Sequence, residues 1–225
     1  MRFTPVALGG PMIIDPEPRE DARGSFIRTF CADEFAQAGL PDHFVQCSLS
    51  CNSRRGTLRG LHYQLYPHQE SKLVRCTRGA VWDVAVDVRR HSVTCGRWVA
   101  VELSAENQRA LFVPPGFAHG FVTLSDDTDV FYQITAFHRP ELAAGLRWDD
   151  PAFGIAWPVS DPILSPRDRS YPDWVTAPSR SRARLADRCA GVHQPDQITA
   201  EQQRDRQAER DRRPQIGGGR TEHRQ

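Results

Sequence analysis

The sequence predicts an all-β domain, an antiparallel sandwich or barrel with a few short helices, over residues 1–175. Short runs rich in β-branched and aromatic residues recur along this part, and glycine or proline stands between them. The clearest run covers residues 80–88 (AVWDVAVDV), where valine alternates with aspartate and alanine. This period of two predicts a strand with a buried valine face and a solvated aspartate face.

Two short helical elements are expected between the strands. The first covers residues 32–38 and ends at Gly39, and the second is a turn over residues 104–108 that the Ser104 hydroxyl can cap. Besides residues 80–88, the runs that predict strands are residues 25–30, 73–77, 98–103, 111–113 and 130–137.

Overall composition excludes several classes of protein. The 225 residues are 39% apolar and 25% charged, with a net charge of +1, so no excess of basic residues points to nucleic acid. No apolar run approaches the roughly 20 residues that span a bilayer, and the N-terminus has no apolar segment of signal-peptide length. We therefore expect a cytoplasmic protein with neither nucleic-acid nor membrane partners.

The last part of the chain differs from the rest. Residues 176–225 contain 11 arginines, no lysine, 7 acidic residues and no aromatic residue. Such a segment buries too little apolar surface to offset its ordering entropy, so we expect a disordered tail rather than a second domain. The basic tail either binds an anionic partner or is a solvated extension without a function, and the second alternative is favoured.

The cysteines do not predict a metal site or a disulfide framework. No two of the six are spaced as Cys-x-x-Cys, so a structural zinc site is not expected. In a reducing compartment we expect free and mostly buried thiols. The cysteines are Cys31, Cys47, Cys51, Cys76, Cys95 and Cys189.

Two histidine-containing segments and one tyrosine are the candidates for chemistry. They are RGLHYQ at residues 59–64 with His62, PPGFAHGF at residues 114–121 with His119, and Tyr132 in a late strand. Histidines at strand edges could line a barrel mouth, which is a common ligand site, but a single histidine in a strand often has only a structural role. A metal site is disfavoured, because Glu70 and His119 are present but His-x-His is missing.

Together, these segments resemble the dTDP-4-dehydrorhamnose 3,5-epimerase family of metal-free cupins. The resemblance covers about residues 1–174, in order and without large gaps, and RGLHYQ with GFAHGF is its most specific part. It implies a cupin-like antiparallel jelly roll and an epimerase of a dTDP-linked 4-keto-6-deoxy sugar. The other similar segments are residues 21–26, 44–46, 72–74, 83–87, 96–98, 148–151 and 164–168.

The resemblance implies a role for each of four catalytic residues. His62 matches the general base, Asp168 the acid paired with it, Tyr132 the proton donor on the opposite face of the sugar, and Lys72 the cation beside the keto oxygen. These types suit the chemistry, because a C4 ketone acidifies the hydrogens at C3 and C5 and the resulting enolate needs a base, a cation and a proton donor. Neither a metal nor a redox cofactor is required.

The resemblance also implies substrate contacts and a homodimer that pairs through its sheets. Arginines match the residues that hold the diphosphate, and the other side chains match those around the nucleoside and the pocket. The residues in these roles are Arg23, Phe26, Gln46, Arg59, His119 and His138.

Four positions depart from the family pattern. Arg28 and Ala143 stand where the family commonly has Glu, Ser48 where it has Asn, and His138 where it has a second Tyr. The core chemistry is therefore retained while the rim is altered. Epimerisation at C3 alone and a catalytically silent nucleotide-sugar binding protein are the alternatives that the sequence leaves open.

Overall fold

A computed structural model describes residues 1–174, which contain thirteen strands, two short α-helices and a 3₁₀ turn at Pro140–Leu142. The helices are α1 (Ala32–Gln37) and α2 (Pro166–Arg169). The strands are β1 (Arg2–Pro5), β2 (Met12–Asp15), β3 (Arg19–Asp21), β4 (Gly24–Phe26), β5 (Gln46–Asn52), β6 (Leu58–Gln64), β7 (Lys72–Arg78), β8 (Ala80–Asp87), β9 (Trp98–Ser104), β10 (Ala110–Val113), β11 (Phe117–Thr123), β12 (Thr128–Ile134) and β13 (Ala143–Gly145).

The strands form two antiparallel sheets and one separate hairpin. The first sheet has six strands in the order β1-β2-β10-β7-β12-β5, and the second has five in the order β13-β6-β11-β8-β9. Strands β3 and β4 pair only with each other among the described residues. This arrangement confirms the predicted cupin-like antiparallel jelly roll.

An apolar core joins the two sheets. Alternate residues of each strand point inward, and burying one such side chain contributes about 1.5–3 kcal/mol. The inward residues include Val74, Leu111 and Val130 from the six-stranded sheet, and Ala85, Leu103 and Phe121 from the five-stranded sheet.

Strand β8 lies where it was predicted, but the half-solvated prediction is wrong. Two of its three valines face outward and are buried beneath residues 142–174, and the third packs in the core between the sheets. Asp83 and Asp87 also face the interior and have no exposed surface. Both carboxylates are paired: Asp83 with His119, and Asp87 with Arg89 at 2.8 Å. Paired charges are tolerated in an interior where unpaired ones are costly, so the same alternation fits a strand buried on both faces.

Tryptophans fix the C-terminal layer on the outer face of the five-stranded sheet. Trp82 packs edge-on against Trp98 and Trp157, with ring centroids 5.8 and 5.4 Å apart. The Trp98 indole donates to the Phe153 carbonyl at 2.9 Å, so the layer also has a polar anchor. The chain then returns to the start of β6, where the Leu58 amide donates to the Ile163 carbonyl at 2.9 Å. This return places α2 against β6.

The other local predictions have mixed outcomes. The first helix is confirmed as α1, and residues 104–108 form a turn rather than a helix, in which Ser104 Oγ accepts from the Asn107 amide at 3.0 Å.

All five described cysteines are free thiols, but only Cys76 is buried, so the expectation of mostly buried thiols is wrong. Cys189 and the predicted tail at residues 176–225 lie outside the described residues. No helix within residues 1–174 is long and apolar enough to cross a membrane.

Candidate active site

One cavity of about 670 Å³ brings together most of the residues singled out from the sequence. Its walls come from both sheets and from α2, so it lies where the apolar core between the sheets ends. Eight of the ten predicted site residues line it, namely Gln46, Arg59, His62, Lys72, His119, Tyr132, His138 and Asp168.

A hydrogen-bonded pair links β6 to α2 at the cavity wall. His62 Nε2 lies 2.7 Å from Asp168 Oδ1, although 106 residues separate them in the chain. The Asp168 side chain is 6% exposed and the His62 side chain is 40% exposed. The buried carboxylate therefore holds one ring nitrogen while the rest of the imidazole faces the open cavity.

The local sequence of α2 explains how Asp168 reaches this position. Ser165 caps the helix, because its Oγ accepts from the Asp168 amide at 3.1 Å, and Pro166 occupies the first helical turn. Burial by itself would raise the pKa of the Asp168 carboxyl, but the hydrogen bond and charge of His62, together with hydrogen bonds from the Gly60 backbone and Ser165, outweigh it and the pKa is lowered. The carboxyl is consequently ionised at neutral pH and can stabilise an imidazolium.

Tyr132 approaches the cavity from the opposite sheet. It lies on β12 of the six-stranded sheet, whereas His62 lies on β6 of the five-stranded sheet. Burial and, after it, the charge of Asp83 raise the pKa of the Tyr132 phenol well above its usual range, and Arg59 offsets part of the shift. The hydroxyl therefore remains protonated and available as a donor at any working pH.

A buried ion pair lies next to the His62–Asp168 pair, which we call the dyad. Lys72 Nζ lies 2.9 Å from Glu70 Oε1, and these side chains are only 11% and 10% exposed. The same ammonium donates to the His62 carbonyl at 3.3 Å, so β7 is joined to β6 across the cavity. These contacts hold the Lys72 ammonium beside the His62 backbone at the cavity wall.

A second histidine–carboxylate pair lies behind Tyr132. His119 Nε2 is 3.0 Å from both carboxylate oxygens of Asp83, and both side chains are buried. The His119 ring meets the Tyr132 ring edge-on, with centroids 6.0 Å apart. The pair orients His119 and supports one side of the phenol.

The glycines of the two motifs allow this close arrangement of strands. A Cβ at Gly120 would lie 2.8 Å from the Arg59 carbonyl oxygen, and Gly60 has a φ of +141°. Larger residues at these two positions would force β6 away from β11 beside both cavity histidines. Steric limits therefore explain why RGLH and AHGF each contain a glycine.

The remaining predicted residues fall into two groups. At the cavity rim, Arg59 Nε donates to Asn52 Oδ1 at 2.8 Å, and the His138 amide donates to Gln46 Oε1 at 2.5 Å. In contrast, Arg23 and Phe26 lie on the β3–β4 hairpin, do not line the cavity, and Phe26 is 74% exposed. The structure therefore does not bring this pair together with the other eight residues within one chain.

Of the four departures from the family pattern, three line this cavity, namely Ser48, His138 and Ala143. Arg28 lies elsewhere and pairs with Glu34 at 3.3 Å.

Three cavity residues were missed or misjudged from the sequence. Glu70 was considered only as a metal ligand, although its spacing of two from Lys72 was a usable signal for a shared strand face. Arg167 and Tyr171, which flank Asp168 in the chain, also line the cavity. Their proximity to Asp168 was the only signal that could have indicated them.

Within residues 1–174, no group of three or more His, Cys, Asp or Glu side chains is arranged to hold a metal ion.

Comparisons with known proteins agree on one family. The family described as dTDP-4-dehydrorhamnose 3,5-epimerase matches residues 5–175. A protein of that name from Methanothermobacter thermautotrophicus is 49% identical over 173 residues, which are 76% of this chain and 92% of that protein.

Two solved structures extend the similarity to three dimensions. A dTDP-4-dehydrorhamnose 3,5-epimerase from Bacillus anthracis, with TDP and PPi bound, has a TM-score of 0.75 and 36% identity, covering 77% of this chain and 99% of its own. ChmJ, a 3'-monoepimerase from Streptomyces bikiniensis in complex with dTDP-quinovose, has a TM-score of 0.72 and 35% identity, covering 76% of this chain and 86% of its own.

Proposed function

Because the chain belongs to the dTDP-4-dehydrorhamnose 3,5-epimerase family, we propose that it inverts C3 and C5 of a dTDP-linked 4-keto-6-deoxyhexose through an enolate. The observation that carries the proposal is that His62 and Tyr132 enter one cavity from opposite sheets. Inversion requires a base on one face of the sugar ring and a proton donor on the other, which this arrangement supplies.

Proton removal is assigned to His62. Its Nε2 is occupied by Asp168, so Nδ1 is the nitrogen left to accept the proton from C3 or C5. The ionised carboxylate fixes the tautomer before the reaction and stabilises the imidazolium afterwards. The electron pair moves into the ring and onto the C4 oxygen.

Enolate stabilisation and reprotonation are assigned to the other two residues. The Lys72 ammonium faces the developing negative charge on the C4 oxygen, an electrostatic contribution worth about 3–4 kcal/mol for a single donor in other enzymes. The Tyr132 hydroxyl then delivers a proton to the opposite face of the same carbon. The product is the inverted ketone, His62 releases its proton to solvent, and the Tyr132 phenolate takes up a proton from solvent to complete the cycle.

The sugar nucleotide is held by side chains at the cavity rim in this proposal. The Arg59 and Arg167 guanidinium groups suit a diphosphate, since planar arginine groups bind phosphate oxygens through two nitrogens. Gln46, His119 and His138 offer polar contacts to the nucleoside and the sugar.

A proton NMR experiment in deuterium oxide tests the function. The protein is incubated with dTDP-4-keto-6-deoxyglucose, and deuterium entry and configuration are followed separately at C3 and C5. Exchange and inversion at both carbons support the proposal. A protein that binds the nucleotide sugar without any exchange would instead be a silent binding protein.

Epimerisation at C3 alone is the second candidate function. It is favoured by the altered rim at Ser48, His138 and Ala143, and one similar solved structure is a 3'-monoepimerase. The same NMR experiment separates the two, because a monoepimerase exchanges and inverts C3 while C5 retains its hydrogen.

The altered rim leads to a prediction about substrate binding. Replacing His138 with Tyr and Ala143 with Glu adds a phenol and a carboxylate to the cavity edge. We expect the KM for dTDP-4-keto-6-deoxyglucose, or the ratio of C5 to C3 exchange, to change by about 2- to 10-fold, the value of one hydrogen bond. Steady-state kinetics and NMR exchange measure both.

The control for this prediction replaces Val93, which is 99% exposed and outside the cavity, with Thr. Kinetics and exchange ratios of the double variant that match the wild type would show that His138 and Ala143 do not shape substrate binding.

We also propose a homodimer in which each β3–β4 hairpin completes the partner's cavity. Arg23 and Phe26 are exposed and outside their own cavity, although the family resemblance assigns them to the diphosphate and the nucleoside. Placement across a dimer interface reconciles these two facts and would also bury the exposed phenyl ring.

Complementation tests this dimer. His62→Ala and Arg23→Ala are each expected to be weak when purified alone. Coexpression should restore about a quarter of wild-type activity, because half of the dimers are mixed and each contains one site with both residues intact. Activity that only equals the mean of the two parents would mean that Arg23 does not act across an interface.

The compartment we propose is the cytoplasm. The five described cysteines are free, and Cys47 and Cys51 are exposed on β5. Exposed thiols persist most readily in a reducing compartment. Fractionation of the native host with a cytoplasmic marker protein tests this location, and recovery with a periplasmic or secreted marker would contradict it.

A further inference from the structure

Tyr171 lies beside the proposed base but has no part in the mechanism described above. Its ring meets the His62 ring edge-on, with centroids 5.8 Å apart and the planes inclined by 66°. It follows α2, three residues after Asp168, and it lines the cavity. The same short segment therefore supplies both a hydrogen-bond partner and a ring contact to His62.

His62 needs a second restraint. Its contact with Asp168 is a single hydrogen bond of 2.7 Å, which holds Nε2 but still lets the ring plane tilt about the line from Cγ to Nε2. The side chain is 40% exposed, so the cavity does not confine it on all sides. An aromatic edge against the imidazole restricts the ring plane, and with it the direction in which Nδ1 points.

The opposite strand is shaped to accept the Tyr171 ring. Gly145 on β13 pairs directly with His62 on β6. A Cβ at Gly145 would collide with the Tyr171 ring atoms, so only glycine leaves the ring in its place beside the base. Gly145, Tyr171 and His62 thus form one packed unit.

The Tyr171 hydroxyl gives no reason for a tyrosine at this position. It is buried and has no hydrogen-bond partner of normal geometry within residues 1–174. Burial raises the pKa of the Tyr171 phenol, and the nearby Arg167 guanidinium, 5.8 Å from the ring centroid, opposes the shift. The contacts that join Tyr171 to His62 and Gly145 are made by its ring, so the ring is the part of the side chain on which the inference rests.

We propose that Tyr171 is a positioning residue that holds the His62 imidazole in its reactive orientation, with Gly145 providing the space for its ring. The inference rests on the proposed function, because it assumes that His62 is the base. It predicts an effect on turnover rather than on substrate binding, since misplacement of a reacting group by about 1 Å can cost about 10²-fold.

The experiment compares Tyr171→Ala, Tyr171→Phe and Gly145→Ala with the wild type. Tyr171→Ala should lower kcat and the rate of C3 deuterium exchange by about 10²-fold with KM changed less than about threefold. Tyr171→Phe keeps the ring and should retain both rates. Gly145→Ala should reproduce the loss of Tyr171→Ala, because the new methyl group displaces the ring.

The double variant supplies a readout that a merely structural role would not give. If the two residues act as one unit, Gly145→Ala should cause no further loss once Tyr171 is alanine. Multiplying losses would overturn the inference, and so would full activity of Tyr171→Ala or equal losses in Tyr171→Phe and Tyr171→Ala. Thermal unfolding checks each fold, and Tyr171→Leu replaces Tyr171→Ala if that variant is unstable.

The result for the wild type distinguishes failure of the proposed function from failure of the positioning role of Tyr171. If the wild type exchanges neither C3 nor C5, the proposed function fails. If it does exchange them, and the Tyr171 and Gly145 variants exchange at the same rates, the function stands and the positioning role fails.

Discussion

Replacing His62 with alanine is expected to abolish deuterium exchange at C3 and C5 while the protein remains folded. The side chain is 40% exposed and lies at a cavity wall, so its loss leaves the apolar core intact. Loss of a general base costs about 10²–10⁴-fold, and more where the residue works as a unit with a partner. NMR in deuterium oxide measures exchange, and circular dichroism with thermal unfolding measures the fold.

The chain offers a matched control for this substitution. His43 Nδ1 lies 3.0 Å from the Asp42 carboxylate and forms a third histidine–aspartate pair, but the His43 side chain is 76% exposed and outside the cavity. His43→Ala should therefore leave kcat and exchange unchanged. Full exchange in His62→Ala would remove His62 from the role of base, and an equal loss in both variants would point to a general effect of removing a histidine.

Asp168 gives a second check on the dyad. If His62 and Asp168 act together, the variant that lacks both should lose about as much activity as the worse single variant, as interdependent catalytic groups do. Losses that multiply would mean that Asp168 contributes separately from His62.

Local patterns were enough to predict five of the eleven strands in the two sheets, namely β7 to β10 and β12. Strands β7 to β10 and helix α1 follow from short-range alternation, from the glycines between them and from a helix stop at Gly39. The burial of β8 was not predictable in this way, because the layer that covers its outer face begins more than fifty residues later in the chain. An alternating sequence pattern shows that a strand has two chemically different faces, but it does not show which elements cover each face.

The candidate site is formed by residues that are far apart in the sequence. His62 and Asp168 are 106 residues apart, so their pairing could be expected only from the family resemblance and not from periodicity. Tyr171 and Gly145 belong to the same unit, and they were missed because the contact between them depends on where the residues after α2 pack against β13. Arg23 and Phe26 were expected at the site only from the resemblance, and they lie outside the cavity on a hairpin that joins neither of the two sheets within the described residues.

Replacing Tyr132 with phenylalanine is expected to separate inversion from proton removal. The ring remains and keeps its edge-on contact with His119, while the only group proposed to protonate the opposite face is lost. Inversion should fall by about 10²-fold or more, as expected for loss of a general acid. Exchange at C3 should continue, because His62 and Lys72 still form the enolate and His62 can return a deuteron to the face it came from. The ratio of inversion to exchange, followed by NMR in deuterium oxide, is the measurement.

Tyr66→Phe is the matched control, because Tyr66 is 51% exposed and lies outside the cavity. Removing its hydroxyl should leave both inversion and exchange at their wild-type rates. The direction of the Tyr132 pKa shift supports the expected result, since a phenol whose pKa is raised by burial and by Asp83 stays protonated until the enolate forms. Wild-type inversion in Tyr132→Phe would show that another donor serves the opposite face. Equal loss of exchange and inversion would instead mean that Tyr132 takes part in forming the enolate, and the division of labour between the two sheets would have to be abandoned.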